Sequence, residues 1–200
     1  MAVEQLSGKA ATQERILVAA MELFLTKGYE QTTVAEVADL GGVSRATVFW
    51  HFSDKASLFR EAFNRLVEPF RESLERSFDE LEPEKQLQEQ LATYRAYTSQ
   101  HREAVEAFIR WAMEAPAFRE WLITTLLDLH QRFTGALTEI IAEIVPPDQD
   151  SEAIATGLVV LLDGDYFLSW FDTSPRRSEE RSRAVDAYLA MIPRRVEAKA

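Results

Sequence analysis

TTVAEVADLGGVSRATVFWHF, residues 32–52, reads as two short helices joined by a glycine-containing turn. Thr33-Val34-Ala35-Glu36 has the form of a capping box, in which Thr33 and Glu36 satisfy each other's free backbone donors. Gly41-Gly42 closes that helix, and Ser44 is placed to cap the next one, which runs to about His51. Val34, Val37 and Ala38 face inward, Val43 sits in the turn, and Val48 and Phe52 hold the second helix against the first. This leaves Arg45, Ala46, Thr47, Phe49 and Trp50 on the opposite side. Phe49 and Trp50 are adjacent, about 100° apart on a helix, so one narrow stripe cannot bury both. An exposed aromatic pair beside Arg, Thr and His51 is expected of a partner surface. A helix-turn-helix presents such a face to the major groove, with the helix N-termini at Thr33 and Ser44 suited to backbone phosphates.

Outward from this segment the chain reads as helix almost throughout, and the expected fold class is all-α. A first helix spans about Thr12 to Lys27, with Ile16, Leu17, Ala20, Leu23 and Phe24 on one face and Gly28 as its stop. Ser53 or Asp54 caps a long fourth helix carrying Leu58, Phe59, Ala62, Phe63, Leu66, Phe70, Leu74 and Phe78. Such a helix spans roughly 40 Å, with Pro69 inside it as a kink. Further helices are expected at about 84–99, 102–114, 116–145, 151–171 and 178–192, with prolines at several of the boundaries. The composition shifts once, towards longer, more aromatic and more acidic helices. The expected organisation is an N-terminal DNA-binding domain at 1–55 and a helical effector-binding and dimerisation domain at 56–200.

Of 200 residues 46% are hydrophobic, enough for a sizeable core, and the absence of cysteine excludes disulfides, thiol nucleophiles and thiolate metal sites. The net charge of −11 opposes nonspecific attraction to nucleic acid. It is unevenly spread. Residues 1–55 hold five basic groups (Lys9, Arg15, Lys27, Arg45, Lys55) against seven acidic ones, a balance of −2, and the remainder holds −9. Across 42–55 the balance turns positive through Arg45 and Lys55, with His51 beside them. The N-terminus lacks the apolar run of a signal peptide. The longest apolar stretch, Ala153 to Leu162, is interrupted by Asp163 before the roughly 20 residues that span a bilayer. The expectation is a cytoplasmic protein with no membrane partner. Metal and catalytic sites are not expected. The three histidines, 51, 101 and 130, are scattered, and no Glu-x-x-His, HExxH or glycine-rich phosphate loop is present. No cofactor is implied.

The run from Thr12 to about Leu58, above all GGVSRATVFWHFSDKASLF, resembles the N-terminal domain of TetR-type (tetracycline-repressor-like) transcriptional regulators. The shared features are a turn glycine, a capping Ser, an aromatic two positions before His, then Phe, then Lys. They cover about a quarter of the chain. The resemblance implies that Arg45 reads bases, a task its guanidinium suits through guanine O6 and N7. It places Ala46 and Thr47 near bases and phosphate, and Thr33, His51 and Lys55 at phosphates. Phe49 stands where the family usually has Tyr, which removes one hydroxyl contact and leaves apolar contact.

The resemblance further implies a homodimer formed by the last two helices, with Gly157, Val160, Gly164, Phe171 and Tyr188 at the interface. The helix at 151–171 supports this independently: it is apolar nearly all round, so more than one side needs cover. It also implies an effector pocket in the C-terminal body. Candidate walls are Tyr94, Tyr97, Phe108, Trp111, Met113, Trp121, Leu126, Phe133, Tyr166 and Trp170, with His130 as a polar contact. Asp163 and Asp165 interrupt the apolar helix. Each needs a partner, either an arginine in a salt bridge or a cationic ligand. The effector implied is small and largely apolar or aromatic. The function implied is a repressor released from a palindromic DNA operator by that effector. Two other readings stay open: a helix-turn-helix protein without an effector, architectural or protein-partnered, and, more remotely, a helical enzyme.

Overall fold

The structure, a computed structural model, describes residues 8–74, 78, 80–114 and 116–195, leaving aside the side chains of 108, 112–114, 116 and 117. Among these residues the chain is helical without a strand: α1 (Gly8–Lys27), α2 (Val34–Leu40), α3 (Arg45–His51), α4 (Lys55–Leu74), α5 (Pro83–Gln100), α6 (Arg102–Glu114), α7 (Pro116–Ile144), α8 (Ser151–Phe171) and α9 (Pro175–Met191). The boundaries follow local chemistry. Gly28 takes φ +84°, a left-handed conformation that stops α1, and Gly42 takes φ +63° in the turn before α3. Asp54 rather than Ser53 caps α4, its Oδ1 accepting the Ser57 amide at 2.6 Å. α1 starts a turn earlier than the apolar pattern predicts. α4 ends at Leu74, so Phe78 lies outside it.

The chain divides into two compact units. The first comprises residues up to Glu72 together with His101–Thr124, the second Ser73–Gln100 with Thr125 onward. A division at 55/56 therefore does not describe the packing: α6 and the start of α7 belong with the N-terminal helices. The reason is an aromatic cluster around Phe59. Phe24, Trp111 and Phe118 lie 5.1, 5.1 and 4.8 Å from its ring, and Trp121 lies 5.2 Å from Phe63. Ile16, Phe24, Leu58, Phe59 and Phe63 are fully buried. Aromatic pairs of this kind contribute about 0.5–1.5 kcal/mol each beyond their area burial.

The second unit is held by α5, the later part of α7, α8 and α9. Tyr94 stacks on Phe133 with centroids 4.8 Å apart. At the C-terminal end, the Arg195 amide donates to the Ile144 carbonyl at 2.8 Å and Arg194 pairs with Glu84 at 2.6 Å, tying α7 and α5 to the segment after α9. α8 alone among the described residues is long and apolar enough to cross a bilayer, with mean hydropathy 1.3 over its best window. The expectation that Asp163 closes off any such stretch does not hold, because the flanking Leu and Val outweigh two aspartates. Both aspartates are engaged within the unit.

Candidate nucleic-acid interface and effector region

α2 and α3 form the helix-turn-helix with the polarity read from sequence. Val37, Ala38, Val48 and Phe52 are buried, whereas Val34 and Val43 are half-buried. On the outer side Ser44, Arg45 and Ala46 are exposed, Phe49 is 48% exposed and Trp50 65%. Exposure this large on two adjacent aromatics costs free energy in water and marks a face built for contact. His51 is half-buried, its ring edge-on to Trp50 at 4.7 Å. The Ser44 hydroxyl accepts the Thr47 amide at 3.0 Å and lies 2.8 Å from the Thr47 hydroxyl, so the N-terminus of α3 is capped by its own side chains.

Thr33 completes the capping box. Its hydroxyl accepts the Glu36 amide at 3.2 Å, while Glu36 receives the Thr33 amide at 2.9 Å. Lys27 adds an ion pair to Glu36 at 2.6 Å. Lys27 first, and then the Thr33 donors, hold the Glu36 carboxyl down at about 2.

Lys55 departs from its expected role. Its ammonium donates to the carbonyls of Tyr29, Glu30 and Thr32 at 2.9, 3.3 and 3.1 Å and lies 4.2 Å from the centre of the Tyr29 ring. All three N–H donors are committed to the α1–α2 loop, leaving none to grip a phosphate. Lys55 is a tether between the start of α4 and that loop.

The residues suggested as effector contacts separate. Trp111 and Trp121 belong to the Phe59 cluster of the first unit, and Leu126 is 42% exposed. Phe108 and Met113 lie outside the described side chains. In the second unit, by contrast, Tyr94, Tyr97, His130, Phe133, Asp163 and Tyr166 are brought together. The Tyr94 hydroxyl donates to Asp163 at 2.8 Å, and His130 Nδ1 lies 3.4 Å from the same carboxylate. Burial, then the charge of Asp163, pushes the Tyr94 phenol far above its ordinary range. Burial, then Tyr166, pushes Tyr97 up to about 12. Trp170 joins the group through Tyr166, with ring centroids 5.6 Å apart.

Asp165 takes the salt-bridge alternative of the two the sequence left open. Arg181 of α9 meets it at 2.7 Å, with both side chains largely buried. The sequence reading missed Gln90, one turn before Tyr94 on the same face of α5. Gln90 is 2% exposed and its Nε2 has no hydrogen-bond partner, as is true of the buried Trp170 Nε1. An unpaired buried amide costs about 1–3 kcal/mol and is uncommon in a finished core. The signal was available: a glutamine inside the apolar run Leu87, Leu91, Tyr94.

The interface residues also divide. A Cβ on Gly157 would collide with the Tyr188 hydroxyl, which itself donates to the Ile154 carbonyl at 2.9 Å. Gly157 and Tyr188 thus pack α8 against α9 within one chain, and both are half-buried. Val160, Phe167, Leu168 and Phe171 are exposed by 61, 50, 51 and 74%, and nothing approaches Gly164.

A family model described as "Bacterial regulatory proteins, tetR family" matches residues 16–62, the span from α1 into α4. The HTH-type transcriptional repressor BepR of Brucella suis is 26% identical over 165 residues, 80% of this chain and 71% of that protein. A TetR transcription regulator from Haloarcula marismortui shares the fold at TM-score 0.72, with 20% identity over 90% of this chain and 97% of the other. SmeT, solved in complex with triclosan, superposes at TM-score 0.70, with 22% identity over 90% of each chain. With its helix-turn-helix, its all-helical body and these likenesses, the chain carries a tetR-family DNA-binding region at residues 16–62 and is similar over most of its length to transcriptional regulators of that family.

Proposed function

We propose that the protein is a cytoplasmic repressor that binds a palindromic operator as a homodimer and leaves it when a small, largely apolar or aromatic molecule enters the second unit. The observation that carries this reading is the outer face of α3, where Arg45, Phe49 and Trp50 stand exposed over a buried Val48. In this reading residues 1–55 hold the DNA contacts, with Thr33, Ser44, Ala46, Thr47 and His51 near the phosphates and bases. Residues 56–200 hold the effector and the dimer contacts. The dimer partner is a second copy seated on Val160, Gly164, Phe167, Leu168 and Phe171. An uncovered face of that size would be an aggregation hazard, and it accounts for the apolar composition of α8 without a membrane. Twofold symmetry sets two reading helices about 34–36 Å apart, one turn of duplex.

The effector region is centred on Tyr94, Tyr97, Phe133, Tyr166 and Trp170, with Gln90, His130 and Asp163 as polar groups. Asp163 already serves Tyr94 and His130, so the groups left to satisfy are N–H donors, and the effector supplies hydrogen-bond acceptors on an aromatic or apolar body. BepR is named a repressor and SmeT was solved with triclosan, which is in keeping with both halves of this proposal.

The test is selection of a duplex from random DNA, followed by binding titrations. Wild type is expected to prefer a palindromic site. Arg45→Ala is expected to lose about 1–3 kcal/mol of discrimination between that site and a scrambled duplex. Equal affinity of wild type for both duplexes would sink the reading. The effector half is checked by native mass spectrometry of the dimer against a panel of small aromatics and by operator release in their presence.

A further inference from the structure

With Lys55 committed to the protein, the reading face lacks the phosphate-binding lysine its sequence suggests. Lys9 stands in a place to supply it. Lys9 is in the first turn of α1, exposed, and its ammonium lies 4.7 Å from the centre of the Trp50 ring on α3. The cations of this region fall into two groups. Lys27 is paired with Glu36 and Lys55 with three carbonyls. Lys9, Arg15 and Arg45 are exposed, and among the described residues none has a carboxylate partner; of the three, Lys9 is the one set over the Trp50 ring.

We propose that Lys9 is a DNA-backbone contact, held beside the recognition helix by the indole face of Trp50. The inference rests on α3 being the reading helix. An aromatic face attracts the ammonium through its quadrupole but accepts none of its N–H groups in a conventional hydrogen bond. The ring fixes the position of the charge and leaves the three donors available, the reverse of the arrangement at Lys55. Trp50 is 65% exposed, so a duplex laid against the outer face of α3 comes within one side-chain length of the Lys9 ammonium. A lysine already gathered against a ring loses less freedom on gripping a phosphate than one waving in solvent. The contact carries no base information, because a phosphate is the same at every step. Lys9 therefore sets affinity and register, and Arg45 sets sequence.

The experiment measures affinity of the full chain for its selected operator and for a scrambled duplex across a salt series. Wild type, Lys9→Gln, Lys9→Arg, Trp50→Ala and the Lys9→Gln/Trp50→Ala pair are compared, with thermal melts confirming the fold. Lys9→Gln is expected to weaken both duplexes by the same several-fold factor and to flatten the plot of log K against log salt by about 0.9 per subunit. Lys9→Arg is expected to restore the slope. In the Trp50→Ala background the effect of Lys9→Gln is expected to shrink. A wild-type slope in Lys9→Gln would overturn the contact, and an undiminished Lys9→Gln effect without the Trp50 ring would overturn the holding role. Failure of the underlying reading looks different: wild type would then show no preference for any site, whatever Lys9 does to the slope.

Discussion

Lys55 and Lys9 show how little the identity of a side chain says about its task. Both are lysines of the N-terminal region, yet one ammonium faces three carbonyls and the other an indole ring. Charged hydrogen bonds of the first kind contribute about 1.5–3 kcal/mol when their loss strands the partner groups. Lys55→Met is therefore expected to lower the stability of the chain by about that much in urea unfolding while leaving the salt slope of DNA binding unchanged. A flattened slope with unchanged stability would return Lys55 to a phosphate. Glu36 gives a prediction in acid. Its folded carboxyl titrates at about 2, well below the ordinary range, because Lys27 and Thr33 favour the charged form. Its stabilising contribution is thus complete at neutral pH and is lost as pH falls through the ordinary carboxylate range towards 2. The stability difference between wild type and Glu36→Gln should be full at pH 7, shrink through the ordinary carboxylate range and disappear only below about 2.

At the scale of elements, α8 and α9 are fitted by one small residue. Tyr188 crosses Gly157 so closely that no Cβ fits. Gly157→Ala adds helix propensity of up to about 1 kcal/mol but forces the tyrosine aside and breaks its bond to Ile154, an overpacking cost of about 1–3 kcal/mol. The net expectation is destabilisation, partly recovered by Tyr188→Phe in the same chain, which removes the colliding hydroxyl. Thermal melts of the single and double variants check this. Recovery in the double variant separates a local clash from a general intolerance of α8. The same pair of helices holds Asp165 against Arg181, which is how an aspartate is accommodated on an otherwise apolar helix.

At the scale of the molecule, the exposed face of α8 is where the proposed second copy is put to the test. Val160 is 61% exposed and makes no demand on the fold of a single chain. Val160→Asp is expected to leave the helical content intact, to halve the mass measured by light scattering, and to abolish tight operator binding, since a single reading helix forfeits half its contacts. A dimer that survives this change would place the second copy elsewhere.

What the sequence determined by itself is local. Capping residues, stop glycines and the apolar period act within about four residues along the chain, so the helices, the helix-turn-helix and the exposed face of α3 were legible before any packing was known. What only the tertiary structure decided depends on partners far apart in the chain. Lys55 meets Tyr29 across 26 positions, Tyr94 meets Asp163 across 69, and Trp111 turns out to pack on Phe59. An apolar stripe or a lysine is compatible with several neighbours, and close packing selects one of them. That is why α3 stands where the sequence placed it, while the neighbours of Lys55, Gly157, Tyr188, Trp111 and Trp121 became known only from the fold, and why Gln90 emerged only once its amide was found buried without a partner.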